Sequence, residues 1–162
     1  IIAGQGTAAL ELVEEVGTLD AILAPVSGGG LLSGTVLAAK GFDENIRVYG
    51  CEPEQADDAY RSFQAGKLIP AESPDTIADG LRASLGDKTF QIIKKEVDGI
   101  FLVTEQQIIE AMRLIWERMK IIVEPSGAAS FAALLLSRPE LSGKRIGLIL
   151  SGGNVDLSSL PF

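Results

Sequence analysis

The sequence predicts an α/β fold in which an open parallel sheet carries helices on both faces. Short apolar runs that suit buried strands alternate along the chain with segments of helical periodicity. Many of the 18 glycines lie where one element gives way to the next, as turns between strands and helices require. The 162 residues, of which 46% are hydrophobic, can bury one sizeable core. We therefore expect a single domain over 1–162.

The first half of the chain is expected to form three helices and two strands. The elements are, in order, a helix over 8–16 with Thr7 as its N-cap, a strand over 21–26, a helix over 31–40, a strand over 46–51 ended by Glu52-Pro53, and a helix over 54–65. Residues 66–80 contain two prolines and little periodicity, which predicts a long ordered loop. Loops of this length inside compact domains are usually functional.

The second half is expected to continue the alternation of helices and strands. Thr104 and Gln107 have the spacing of a capping box, so a helix begins after Thr104. The apolar stripe along that helix is typical of core packing. The other elements are a helix over 87–96, a strand over 100–103, a small-residue helix over 128–136, and a strand over 145–150.

Composition excludes several classes of partner and chemistry. The net charge of −8 argues against a nucleic-acid surface, and no apolar run has the length of a membrane span. The single cysteine, Cys51, fits a reducing compartment and predicts a cytoplasmic protein. The absence of histidine rules out a Ser-His-Asp triad and an imidazole metal site within the chain. Any metal would be held by oxygen ligands, which favours Mg²⁺, Ca²⁺ or Mn²⁺.

A glycine turn separates the first strand from the helix that follows it. We use this name for residues 27–31, which are Ser27, Gly28, Gly29, Gly30 and Leu31. A turn of this kind directs backbone N–H groups and a helix N-terminus at an anion, so it predicts a phosphate site. A tight strand-to-helix connection without a ligand would need the same glycines, and that explanation stays open.

Nucleotide-binding motifs match this turn poorly but are not excluded. A dinucleotide fingerprint that starts at Gly28 and Gly30 would need a third glycine where Ser33 stands. One feature favours a dinucleotide, because Glu52 follows the next strand about 20 residues on, where an acid would bind a ribose.

Three polar segments directly follow predicted strands: the glycine turn, Glu52, and residues 151–154. The carboxyl ends of parallel strands lie at one edge of the sheet, and ligands of α/β proteins collect there. The sequence therefore predicts one binding site at this edge.

Four stretches together resemble a known enzyme family. Residues 27–31, 51–58, 76–80 and 150–156 closely resemble serine racemase and the related threonine and 3-hydroxyaspartate dehydratases. These are fold-type II enzymes that use pyridoxal 5′-phosphate (PLP). The resemblance covers essentially the whole chain, in order. It implies dehydration (ammonia-lyase activity), racemisation or both, on a small hydroxy amino acid such as serine, threonine or 3-hydroxyaspartate, and a homodimer of the complete enzyme.

The resemblance also implies that the chain is part of a longer enzyme. In the family this sequence corresponds to the C-terminal half, most of it in the large cofactor-binding domain. The small domain and the Schiff-base lysine lie upstream, and none of the lysines here stands in a stretch that resembles the lysine motif. We therefore expect no catalytic residue in this chain and no turnover by these 162 residues alone.

The resemblance assigns roles around the cofactor. Backbone amides of the glycine turn would bind its phosphate, and Ser151 would place a hydroxyl at the pyridine nitrogen. Gly80 would lie against the ring, where a side chain would collide. Glu124 would lie near the ring, although it could instead cap the helix that begins near Ser126.

The same analogy selects Glu52, the carbonyl of Ala56, and Asp58 as ligands of Mg²⁺, with Ca²⁺ or Mn²⁺ as substitutes. Acidic residues at the start of a helix also favour its positive end without any metal, so that alternative remains. Two further functions stay open as well: a catalytically silent phosphate- or PLP-binding module, and a nucleotide-binding α/β domain.

Overall fold

Four parallel strands form one sheet at the centre of the molecule. The structure is a computed structural model, and it describes residues 1–136 and 138–162. The strands are β1 (Ala21–Pro25), β2 (Arg47–Pro53), β3 (Gly99–Val103) and β4 (Ile146–Leu148). Their order across the sheet is β3-β2-β1-β4, and every neighbouring pair is parallel. The predicted parallel α/β architecture is confirmed.

Helices connect the strands. They are α1 (Ile2–Val16), α2 (Gly30–Phe42), α3 (Asp58–Ala65), α4 (Asp87–Glu96), α5 (Glu105–Leu114) and α6 (Pro125–Leu135). Short 3₁₀ turns lie at Glu54–Ala56, Asp79–Leu81 and Pro139–Leu141, and a π-helical turn at Ile115–Met119 extends α5. In the described part of the chain, no helix combines the length and the apolar character needed to cross a bilayer.

Each face of the sheet packs against its own set of helices. Alternate residues of a strand point to opposite faces, so Ile22 and Leu23 enter different cores. Leu23 packs in the cluster that contains the buried faces of α5 and α6. Ile22 packs in the cluster formed with α1, α2 and α4. Helices therefore cover both faces, as predicted.

Strand β2 runs two residues further than the sequence indicated. Glu52 and Pro53 do not break it, because they pair with Leu102 and Val103 of β3. A proline is tolerated at the end of a strand, where it removes no interior ladder bond. This extension places the Glu52 side chain inside the molecule.

The first helix begins earlier than predicted. Helix α1 starts at Ile2, so Thr7 lies inside it and is not its N-cap. The Thr7 hydroxyl donates to the carbonyl oxygen of Gly4 (2.8 Å), a back-bond of the kind that threonine makes inside helices. Helix α6 also starts early, at Pro125, because proline suits the first helical position.

Helices α1 and α2 cross at a pair of glycines. A Cβ atom on Gly34 would lie 2.5 Å from the backbone nitrogen of Gly6 and 2.5 Å from the carbonyl oxygen of Ile2. Backbone atoms cannot move aside as a flexible side chain can, so this crossing requires glycine at position 34. The crossing holds the start of α2, which carries the glycine turn, against α1.

We expect Gly34→Ala to lower the free energy of unfolding by about 1–3 kcal/mol, because the added methyl group would overpack the crossing. Gly41→Ala is the matched control on the same helix, since a Cβ there meets nothing within 4 Å. The control should be neutral or stabilising by up to about 1 kcal/mol, through helix propensity. Urea unfolding of both variants checks the pair, and equal effects would contradict the glycine crossing.

Candidate functional site

A cleft of about 250 Å³ lies at the carboxyl end of the sheet. All eight residues that the sequence assigned to a cofactor line it: Ser27, Gly28, Gly29, Gly30, Leu31, Gly80, Glu124 and Ser151. These residues come from loops that are far apart in the chain. The structure therefore brings the predicted set to one place.

Four further residues line the cleft and were missed from the sequence: Gln5, Pro25, Leu81 and Ser126. Gln5 belongs to α1, which the sequence placed too late in the chain. Ser126 follows Pro125 at the start of α6, and a hydroxyl at a helix N-terminus facing the predicted edge was a usable signal. Pro25 and Leu81 carried no such signal.

The glycine turn presents the open end of α2 to the cleft. Gly29 is the N-cap, and the N–H of Ser33 donates to its carbonyl oxygen (2.9 Å). By helix geometry, the earlier N–H groups of the first turn have no partner inside α2. The carbonyl oxygen of Gly28 accepts from Thr89 Oγ1 (2.7 Å), so the N–H of Gly29 on the same trans peptide points away from Thr89.

Gly28 and Gly29 differ in whether the fold has room for a side chain. Gly29 has a φ of +84°, and a Cβ there would lie 2.6 Å from Leu85 Cδ1 and 2.8 Å from Thr89. Gly28 has an ordinary φ, and its nearest neighbour would be the carbonyl oxygen of Ser84 at 3.8 Å. Folding thus accounts for Gly29 but leaves open space beside Gly28.

A long loop closes over the carboxyl edge of the sheet. We call residues 66–86, which join α3 to α4, the rim loop. The hydroxyl of Ser27 donates to the carbonyl oxygen of Ala83 (2.9 Å) and accepts from its N–H (3.0 Å). Because the Ser27 hydroxyl is already hydrogen-bonded to the rim loop, an anion at the glycine turn would be bound by backbone N–H groups alone.

Gly80 packs against α6. Its N–H donates to Ser126 Oγ (3.0 Å), and a Cβ on Gly80 would lie 2.9 Å from that oxygen. The same Cβ would lie 3.8 Å from Glu124 Oε1. A side chain at this position would therefore collide inside the protein, whether or not a cofactor ring is bound.

Glu124 holds the segment that carries Ser151. Glu124 occupies the N-cap position of α6, as the capping alternative expected, but it caps only through its backbone carbonyl, and its side chain makes no capping bond. Its Oε2 accepts from the N–H of Asn154 (2.8 Å) instead. The close approach of Gly127, whose Cβ would lie 3.1 Å from the carbonyl oxygen of Ser151, fixes the same segment from α6.

Two buried carboxylates stand beside the cleft. Glu52 is 0% exposed, and its two oxygens accept from the N–H groups of Ala59 (2.9 Å) and Tyr60 (2.8 Å) at the start of α3. Burial raises the pKa of Glu52 to about 8; these two bonds oppose the rise, and the charge of Asp58 adds to it. Glu52 is thus committed to the interior, which removes the support for a ribose-binding role.

Asp58 is 1% exposed, and its Oδ2 accepts from the N–H of Leu85 in the rim loop (2.9 Å). Burial raises its pKa as well, while this bond lowers it. The guanidinium of Arg61 is bonded to Asp57 (2.7 Å). Ala56, the third predicted ligand, is also buried, and it lies between Glu52 and Asp58 in the sequence.

We call Glu52, Ala56 and Asp58 the acidic corner. The carboxylate oxygens of Glu52 and Asp58 are hard donors that suit a divalent cation, and the cation would offset the negative charge buried there. Over residues 1–136 and 138–162, however, no cluster of three or more acidic, cysteine or histidine side chains could hold a metal. Protein ligands there would be limited to the two carboxylates and a carbonyl, with water completing the shell.

No lysine is among the described residues that line the cleft. A larger groove of about 500 Å³ lies between α1 and α2, and its lining is almost wholly apolar. Because it offers no cluster of polar groups, the cleft at the carboxyl edge is the better candidate for chemistry.

Comparison with known proteins identifies the family of the chain. A model of the pyridoxal-phosphate dependent enzyme family matches residues 1–152. The chain belongs to this family.

Its relatives include amino-acid racemases and dehydratases. The chain is 54% identical to a serine racemase of Dictyostelium discoideum over 165 residues, covering 99% of this chain and 51% of that protein. It is 49% identical to a β-hydroxyaspartate dehydratase of Paracoccus denitrificans, covering 100% of this chain and 51% of the relative. The maize serine racemase structure superposes with a TM-score of 0.92 at 46% identity, covering 97% of this chain and 49% of that one. The chain thus spans about half the length of these relatives.

We expect Gly80→Ala to lower the free energy of unfolding by about 1–3 kcal/mol even without PLP, because its methyl group would collide with Ser126 Oγ. Adding Ser126→Ala should recover much of that loss, since it removes the colliding oxygen. A double-mutant cycle in urea checks both statements. The explanation fails if Gly80→Ala unfolds like the wild type and loses only PLP affinity, which would place the collision at the cofactor.

Proposed function

We propose that the chain forms the phosphate-, pyridine- and metal-binding part of a PLP-dependent enzyme. That enzyme would dehydrate or racemise a small hydroxy amino acid such as serine, threonine or 3-hydroxyaspartate. The observation that carries the proposal is the cleft in which the open end of α2, the space beside Gly28 and Ser151 meet. The names of the relatives support the class of substrate.

The glycine turn would bind the phosphate through backbone N–H groups. The α2 N-terminus supplies a partial positive charge as well as free donors. The space beside Gly28 would let the phosphate approach the backbone more closely than any side chain allows.

Ser151 would set the electronic character of the ring. When bound, PLP withdraws electrons from the substrate carbon that loses a proton. A neutral hydroxyl at the pyridine nitrogen does not force that nitrogen to be protonated, as a carboxylate would. The resulting weaker withdrawal suits proton removal followed by loss of a β-hydroxyl group, or by return of the proton to the opposite face.

The lysine that attaches the cofactor would come from outside this chain. The cleft lining contains no lysine among the described residues, and the relatives are about twice as long. We accordingly propose that the chain corresponds to the C-terminal half of a longer enzyme that works as a homodimer. The cytoplasmic location expected from its lone cysteine stays a prediction.

Glu52, Asp58 and the carbonyl of Ala56 would bind Mg²⁺, with Ca²⁺ or Mn²⁺ as alternatives. The support is chemical: burial, and to a lesser extent the charge of Asp58, raises the pKa of Glu52, and a hard cation bound there would favour the charged form of both acids. The ion would join the end of β2 to the start of α3 and perform no chemistry.

A catalytically silent PLP- or phosphate-binding module is the second candidate. The lack of a lysine in the described lining of the cleft favours it for the chain in isolation. Turnover by the protein that carries this chain separates the two candidates.

That protein, supplied with PLP, should convert serine, threonine or 3-hydroxyaspartate to ammonia and a 2-oxo acid, or to the opposite enantiomer. Oxo-acid formation and chiral chromatography measure these products. The 162 residues alone should show no turnover. PLP binding without turnover by the complete protein would establish the silent module, and turnover by the isolated chain would overturn the placement of the lysine.

Gly28→Ala tests the phosphate contact directly. A Cβ at Gly28 has room in the folded chain, so the free energy of unfolding should stay within about 1 kcal/mol of the wild type. The same methyl group would occupy the proposed phosphate space, so PLP affinity should fall at least about tenfold. Absorbance titration with PLP measures this, with Gly41→Ala as the remote control. Unchanged PLP affinity would mean that the glycine turn is only a tight connection between β1 and α2.

Added Mg²⁺ should raise the melting temperature of the protein, because only the folded state has the site. Asp58→Asn should abolish that rise while keeping an oxygen for the N–H of Leu85. Asp57→Asn, which removes an acid bonded to Arg61, is the control and should keep the rise. If Asp58→Asn still responds to Mg²⁺, Glu52 and Asp58 serve only as hydrogen-bond acceptors for the backbone of α3 and the rim loop.

A further inference from the structure

Glu105 takes no part in the site described so far, yet it contacts the loop that bounds the cleft. We propose that Glu105 is a positioning residue, which holds the backbone at Ile77 and thereby sets the place of Gly80 and Leu81. The inference rests on the proposed function only for the identity of the ligand, PLP.

The cleft wall, our name for residues 76–81, makes its own internal bonds. The N–H of Asp79 donates to the carbonyl oxygen of Ile77 (2.9 Å), and that of Leu81 to the carbonyl oxygen of Ala78 (2.8 Å). These bonds fix the shape of the wall but not its position relative to the sheet. Its last two residues, Gly80 and Leu81, line the cleft.

Two side chains from other elements hold the wall in place. Glu105 Oε2 accepts from the N–H of Ile77 (2.7 Å), and Ser126 Oγ accepts from the N–H of Gly80 (3.0 Å). Ala78 is buried and sets the depth of the wall, whereas the Ile77 side chain is 36% exposed. Burial of Thr76 and Ala78 anchors the chain on either side of Ile77, and the bond to Glu105 fixes the backbone N–H of Ile77 between them.

Glu105 stands on a rigid support. It is the first residue of α5, and Thr104 before it forms a full capping box with Gln107. This box locks the helix end directly after β3, so the carboxylate is held at a defined distance from the sheet. Because the start of α5 is fixed relative to β3, the hydrogen bond from Ile77 to Glu105 fixes the cleft wall relative to the sheet.

The second oxygen of Glu105, Oε1, is buried and makes no hydrogen bond to the described residues. A buried polar atom without a partner costs free energy, and a carboxylate oxygen costs more than a neutral one. A role in placing the wall accounts for a side chain that is not optimised for the fold.

The test compares Glu105→Ala with Glu105→Gln in the protein that carries this chain. Alanine removes the acceptor, so the Ile77 amide should lose protection from hydrogen exchange and PLP affinity should fall about tenfold. Glutamine keeps an acceptor oxygen and should stay within about threefold of the wild type. Glu110→Ala, an exposed acid on the same helix, is the control and should change neither readout.

Glu105→Asp keeps the charge but shortens the reach, and it serves if the alanine variant does not fold. It should also lose protection at Ile77. The inference is overturned if both shortened variants exchange like the wild type, or if they lose stability and leave PLP affinity unchanged. A wild-type protein that fails to bind PLP would overturn the proposed function instead, and the exchange measurement would still judge the role of Glu105.

Discussion

Side-chain hydrogen bonds to the rim loop are the contacts on which the rest of the site depends. Apart from the short 3₁₀ turn Asp79–Leu81, the loop has no regular secondary structure, so its backbone groups need partners from other elements. Ser27, Asp58 and Ser126 each accept a hydrogen bond from one of its N–H groups. They belong to the glycine turn, to α3 and to α6, respectively. Without these bonds the cleft would lack one of its walls.

The same bonds connect two sites that the sequence treats separately. Asp58 accepts from the N–H of Leu85, and the side chain of Leu85 fills the space where a Cβ on Gly29 would lie. The acidic corner and the glycine turn are thus neighbours through one residue of the rim loop. An ion bound at Asp58 would act on the cofactor site through packing, without touching the cofactor.

Much of the site was predictable because its parts are local. The order of strands and helices follows from alternating periodicity, and the glycine turn follows from a strand that ends at three glycines. The placement of Ser151 at the same edge follows from the geometry of parallel strands. The roles of Gly80, Glu124 and the metal ligands came from resemblance to a family, since no pattern in the residues themselves assigns them.

The sequence by itself determined the fold class, the edge of the sheet where a site was expected, and six of the residues that line the cleft, which are Ser27 to Leu31 and Ser151. Gly80 and Glu124 were added by the resemblance to a family. Only the tertiary structure decided what those residues do for the fold. It showed that Gly29 is required by Leu85, that Gly28 is not required by folding, and that Glu52 is buried by an extension of β2. It also showed that Glu105 and Ser126 hold the cleft wall. These contacts join residues that are far apart in the chain, so they cannot be predicted from local periodicity or residue spacing.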